Sequence, residues 1–140
     1  MSLHLQTVTA TSPATATSST LGTFSGLARY TSGTFVATLT GATGGALDVY
    51  LQIYDGANWI DYAHFPQKAA GSAVTIVALP VTRNYQRIAT VATGVDTPAL
   101  AADVCLGGDF GDAVRVRAVA GAGTSAGASQ TVKFFATQPN

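Results

Sequence analysis

The chain has no glutamate, only two lysines and two histidines, one cysteine and one tryptophan among its 140 residues. Each scarcity closes off a class of function. A single cysteine excludes an intrachain disulfide framework, and with two histidines it cannot supply the clustered thiolate and imidazole ligands of a zinc site. Cys105 is expected as a small, buried apolar residue. Nucleophilic catalysis needs a base beside a Ser, Thr or Cys and a third group to orient that base. Only His4 and His64 supply an imidazole to serve as that base. Charged residues make up 10 % of the chain, seven basic against seven acidic, so no net field draws it to nucleic acid or to an anionic membrane. No apolar run approaches the ~18 residues of a membrane span. The opening MSLHLQTVTATSP lacks the charged start and apolar middle of a secretion signal. The expectation is a soluble chain made in a cytosol, with no cofactor, metal or catalytic residue, and with neither nucleic acid nor membrane as partner.

What the chain does contain is Ala, Thr, Gly, Ser and Val in abundance, with hydrophobic residues at 47 %. At this length a single domain can bury a core without staples. Apolar and polar residues alternate over 34–40, 46–54, 58–65, 73–79, 85–92, 114–120 and 131–137, and turn-forming clusters punctuate these runs. With one more strand from the N-terminal region or from Ala101–Leu106, the count reaches about eight. That predicts an all-β fold: an antiparallel β-sandwich of jelly-roll type, with one short helical turn allowed near Ala99–Leu106. The stretch ATSPATATSSTLG (10–22) is too poor in large apolar groups to offset its ordering entropy and reads as a linker. Before it, Leu3 and Leu5 alternate with His4 and Gln6, as in an extended arm that adds to a sheet edge of its own or a neighbouring subunit. The expected division is therefore arm and linker over 1–22 and sandwich over 23–140. A surface so poor in charge also predicts assembly rather than a free monomer.

The most informative tract is LDVYLQIYDGANWIDYAHF (47–65). Leu47, Val49, Leu51 and Ile53 define one apolar face, and Asp55-Gly56 marks a turn into a second strand. That second strand has no clean parity. Trp59, Ala63 and Phe65 share one side with Asp61, while Ile60, Tyr62 and His64 share the other. Either a bulge switches the parity or the sheet is covered on both faces, with a partner subunit as one source of cover. Ile60, Tyr62 and His64 are thus candidate interface residues, with Leu3 and Leu5. Arg115 and Arg117 project together from one strand face and are candidates for intersubunit pairing, against the plainer role of a solvated face. The aromatics Tyr50, Tyr54 and Trp59 are candidates for stacking on sugar rings, against core or interface packing. Asp55, Asn58 and Asp61, and separately Asp109 and Asp112, bring oxygen side chains into turns, but neither set has EF-hand spacing, and turn roles account for them.

Three segments together carry a resemblance: LDVYLQIYDGANWIDYAHFPQ (47–67), TRNYQRIATVA (82–92) and AVRVRAVAGAGTSAGASQTVKFFAT (113–137). They resemble small structural proteins encoded near the head and tail genes of tailed bacteriophages. In that group an "LDV-x-LQ" strand leads into a "DG-x-x-W-x-D" hairpin and "HF-x-Q", and a basic "R-V-R" strand precedes a final aromatic strand. The resemblance spans 34–137 loosely, and Leu47–Gln67 is its most specific part. The loop 90–112 and the N-terminal arm depart from the pattern. The resemblance implies a non-enzymatic virion protein, made in the host cytoplasm and placed on the phage head surface as a capsid decoration protein. Its implied partners are copies of itself, as a trimer, and the major capsid protein. A carbohydrate- or receptor-binding module and a tail or baseplate component are the alternatives.

Overall fold

A computed structural model describes residues 2–11, 18–40, 45–69, 71, 74–83, 94–120 and 129–138. Nine strands are present among them: β1 (Ser2–Thr11), β2 (Ser18–Phe24), β3 (Ser32–Thr40), β4 (Leu47–Tyr54), β5 (Trp59–His64), β6 (Thr75–Thr82), β7 (Val104–Cys105), β8 (Val114–Ala120) and β9 (Ser129–Gln138). One sheet has the order β1-β9-β3-β6 and the other β2-β8-β4-β5-β7, and every pairing is antiparallel. With the two-residue β7 set aside, these are the two four-stranded layers of a jelly roll, in which most connections cross from one sheet to the other. The all-β sandwich expected from the alternation is therefore the observed fold.

The alternation explains the layers. In β8, Val114, Val116, Ala118 and Ala120 are fully buried while the residues between them are half-exposed, and in β3 Phe35, Ala37 and Leu39 do the same. Between the sheets, Phe24, Phe35, Phe110 and Phe134 form a ring cluster, with Phe35 and Phe134 centroids 4.8 Å apart. Each such ring contributes about 1.5–3 kcal/mol through burial. Close packing also dictates a glycine. A Cβ on Gly33 would stand 2.5 Å from the Phe134 ring, so no other residue fits between that ring and the β3 backbone.

Arg83 ties the end of β6 to two loops. Its Nε donates to Tyr30 O at 2.6 Å, and Nη2 donates to Leu27 O and Gly111 O, each at 2.7 Å. Its Nη1 bonds the Asp109 carboxylate, and the guanidinium lies 3.8 Å above the Phe110 ring centroid. Asp112 accepts from the Ala28 N–H at 2.8 Å, and Asp109 accepts from Gly111 N–H at 2.8 Å. Both carboxylates thus hold turns, including the one-turn 3-10 helix Leu27–Arg29.

The N-terminal segment adds to a sheet edge of its own chain, one of the two placements expected for it: it is β1, paired with β9 over ten residues from Ser2↔Gln138 to Thr11↔Ser129. Other expectations are corrected. The end of the expected linker is β2, paired with β8. The sandwich therefore includes residues that the division at residue 22 set outside it; positions 12–17 lie outside the described residues. The run expected over 73–79 is β6, which continues past 79 to Thr82 and includes Pro80, tolerated in an edge strand. No helix forms over 99–106; a turn at Ala102–Asp103, with Asp103 at φ 64°, leads into β7 instead. Cys105 is half-buried rather than buried. The strand expected at 85–92, with Arg87, lies outside the described residues.

Candidate assembly surface

The two outer faces of the sandwich differ, and the β4–β5 hairpin shows why. Asp55 closes the four-residue connection: its Oδ1 accepts the Ala57 and Asn58 N–H groups at 2.8 and 2.7 Å, while Gly56 takes φ 102°. Those two backbone bonds hold the Asp55 carboxyl below the ordinary aspartate range. Cross-strand pairing then runs Tyr54↔Trp59, Ile53↔Ile60 and Gln52↔Asp61, and resumes at Leu51↔Ala63 after a register shift. Tyr62 is the extra residue of this bulge.

The bulge is the parity switch that the sequence left open. Before it, Ile60 lies on the Ile53 side; after it, Ala63 and Phe65 take the core side and His64 turns outward opposite Tyr50. Ile60 and His64 are therefore on opposite faces, which corrects their expected grouping. Tyr62 points into the core with 1 % exposure and donates its hydroxyl to Gly108 O at 3.3 Å, so it has no surface to offer a partner. Burial pushes its phenol pKa well above the ordinary value, with the nearby Cys105 thiol adding to the rise.

On the outer face of this sheet, two rows run across the strands: Thr20, Arg117, Tyr50 and His64, then Thr23, Arg115, Gln52 and Asp61. The second cover required by the apolar parity of β5 comes from the chain's own loop 94–103. Asp61, fully buried, accepts the N–H groups of Ala99 and Leu100 on Oδ2 at 2.8 and 2.7 Å and the Gln52 amide on Oδ1 at 2.8 Å. His64 places Nδ1 2.7 Å from Leu100 O and Nε2 2.9 Å from Asp48 Oδ1, and its ring stacks on Tyr50 at 3.9 Å. Gln67 donates to both Asp48 oxygens at 3.0 Å. Burial, with the charges of Asp48 and Asp61 behind it, raises the Tyr50 phenol pKa.

Arg115 completes the seal. Its Nε donates to Gln52 Oε1 and its Nη2 to Asp96 O, both at 2.7 Å, with the guanidinium 4.9 Å above the Trp59 ring. Burial and the adjacent Arg117 lower its pKa, while Asp96 and Asp61 oppose the shift. Arg117 donates to Thr20 Oγ1 at 2.8 Å. Both arginines thus make contacts within the chain. Of the stacking candidates, Tyr50 lies under His64 and is 8 % exposed, whereas Trp59 and Tyr54 sit together at the hairpin tip with centroids 5.0 Å apart.

The outer face of the four-stranded sheet has no such cover among the described residues. Its rows read Leu5, Phe135, Thr34, Pro80; then Thr7, Lys133, Val36, Ala78; then Thr9, Thr131, Thr38, Ile76. Leu3 is 69 %, Leu5 54 %, Ile76 67 % and Phe135 39 % exposed, and Lys133 is the one charge in these rows. A depression of about 350 Å³, floored by Gly33 and edged by Phe135 and Pro80, dents this face. Sequence reasoning found Leu3 and Leu5 but missed Phe135, Val36 and Ile76. The adjacent pair Phe134-Phe135 in a period-2 strand was the available signal, since one of the two must face outward.

A second cleft, about 210 Å³, opens between β5–β7 and β6, lined by Phe65, Val77, Leu79 and Cys105 among others. Its thiol is pushed up in pKa by burial, the opposite of an activated nucleophile. Among the described residues, no group of three or more His, Cys, Asp or Glu side chains is placed to hold a metal ion. No family model, curated protein or solved structure matches this chain.

Proposed function

We propose that this chain is a non-enzymatic structural protein of a virion, a jelly roll that decorates and stabilises the head of a tailed bacteriophage in assembled copies. The observation that carries the reading is the nearly charge-free outer face of the β1-β9-β3-β6 sheet, with Leu3, Leu5, Ile76 and Phe135 in solvent. Large apolar side chains exposed on a face with a single charge mark protein contacts rather than small-molecule chemistry. On this reading the face lies against the major capsid protein, and the polar layer beneath loop 94–103 stiffens the opposite side. The resemblance carried by Leu47–Gln67 supplies the virion setting. Co-sedimentation with purified heads tests it: the native chain should pellet with heads, and Ile76→Lys with Phe135→Lys should remain in the supernatant while still folded. A native chain that never pellets with heads would sink the reading.

A second reading, a carbohydrate- or receptor-binding module, is favoured by one observation: Tyr54, 46 % exposed, lies beside Trp59 at the hairpin tip. Glycan-array binding that is lost in a folded Trp59→Ala variant would support it. A density map of the virion separates a head location from a tail or baseplate location.

A further inference from the structure

The two sheets present four edges, and three of them are blunted. β6 carries Pro80, β2 carries a register shift between Thr20 and Gly22, and β7 is only two residues long. Bulges, prolines and short strands are the devices by which sandwiches keep their edges from pairing with other chains. The fourth edge, β1, has none of them. Its ten residues, SLHLQTVTAT, hold no proline, lysine, arginine, aspartate or glutamate, and their pairing with β9 runs without a shift from Ser2 to Thr11. Among the described residues, no strand pairs with its other side. Its outward side chains, Leu3, Leu5, Thr7 and Thr9, are all exposed.

We propose that the free edge of β1 pairs antiparallel with β1 of a second copy of this chain about a two-fold axis. Identical strands are self-complementary in that arrangement. At ~3.4 Å per residue, ten residues give an edge about 34 Å long, enough for about ten backbone hydrogen bonds. Because the strand has no lysine, arginine or carboxylate, two copies meet without like charges opposite one another. Joining the copies merges two four-stranded sheets into one eight-stranded layer and makes their apolar outer faces continuous. The pairing rests on the assembly reading above for its purpose, but its geometry can be tested without heads.

Light scattering on the full-length chain reads the pairing directly. The native protein should have twice the 14.2 kDa chain mass. Leu5→Lys with Thr7→Lys places like charges along the shared edge and should return the mass to a single chain with an unchanged circular dichroism spectrum. Ile76→Lys, on the same face but at the β6 edge, should leave the mass doubled. A native monomer, a trimer, or a dimer that survives the double substitution overturns the proposal. Head binding is scored separately. A dimer with no affinity for heads removes the proposed function and leaves the edge pairing, whereas a head-binding monomer does the reverse.

Discussion

Gly94 lies directly against Asp61: a Cβ added to Gly94 would stand 1.9 Å from the Asp61 Oδ2 atom. The same glycine has φ +66°, and its carbonyl accepts the Gln52 amide at 3.3 Å, so one position carries both a close approach and a left-handed turn. Gly94→Ala is expected to cost about 1–3 kcal/mol from backbone strain, and more from displacing Asp61. Gly107→Ala, at φ +74° with nothing within 4 Å of its added carbon, isolates the backbone part. Urea unfolding midpoints compare them, and equal losses at the two sites would refute the contact.

Asp61 accepts three hydrogen bonds in full burial, so Asp61→Asn sets an amide against at least one of its donors. A loss of about 1–3 kcal/mol is expected. The local readout is amide hydrogen exchange at Ala99 and Leu100, which should accelerate while exchange in β3 keeps its native rank. Unchanged protection at both amides would mean that the loop is held by something other than this carboxylate.

Alkaline pH bears on the two buried phenols. Tyr50 and Tyr62 both have pKa values raised by burial, so the folded state prefers their neutral forms. Their contribution to stability is complete below the ordinary tyrosine value of about 10 and is lost as pH rises through the folded values. Tyr62→Phe removes the larger of these ionisations and should flatten the fall in stability above that pH. Tyrosinate absorbance followed with the unfolding signal checks it; an identical alkaline slope in the variant would count against the assignment.

At the hairpin tip the sign reverses. Asp55 has a depressed pKa, caused first by the Asn58 and Ala57 backbone bonds, so its contribution is present above the ordinary aspartate value and is lost as pH falls through the folded one. Asp55→Asn keeps an oxygen acceptor for the turn and should abolish the local acid response, seen in the amide chemical shifts of Ala57 and Asn58. A titration at those amides that persists in the variant would assign the response to another group.

Much of the fold was legible because alternation reports on burial locally. The run Val114 to Ala120 matches β8 residue for residue, and the expected 46–54 differs from β4 by one position. Alternation cannot report pairing partners. LHLQTV alternates as well as any strand, yet the β9 residues it pairs with lie at the far end of the chain, so it read as an arm. The site was less legible for the same reason. Asp61 on the Trp59 side of β5 was visible as an anomaly, but its explanation is a pair of backbone donors from Ala99 and Leu100, in a segment with no periodic signal. Tyr62 was grouped with His64 in an interface because parity counted straight through the bulge, which leaves Tyr62 on the core side and turns His64 outward.

By itself the sequence determined the class of the molecule: no charge excess, no ligand cluster, and apolar residues at a period of two leave little but an antiparallel sandwich as a way to bury them. It also determined the hairpin after Ile53, since Asp55 and Gly56 supply the acceptor and the positive φ that the connection uses. Only the tertiary structure decided which face is closed and which is open. A loop distant in sequence brings N–H donors to Asp61 and a carbonyl to His64, and so covers the β4–β5 part of one outer face; the other is left with Leu5, Phe135 and Ile76 in solvent. Burial of a polar group depends on partners that chain topology delivers, and no local pattern of residues encodes that delivery.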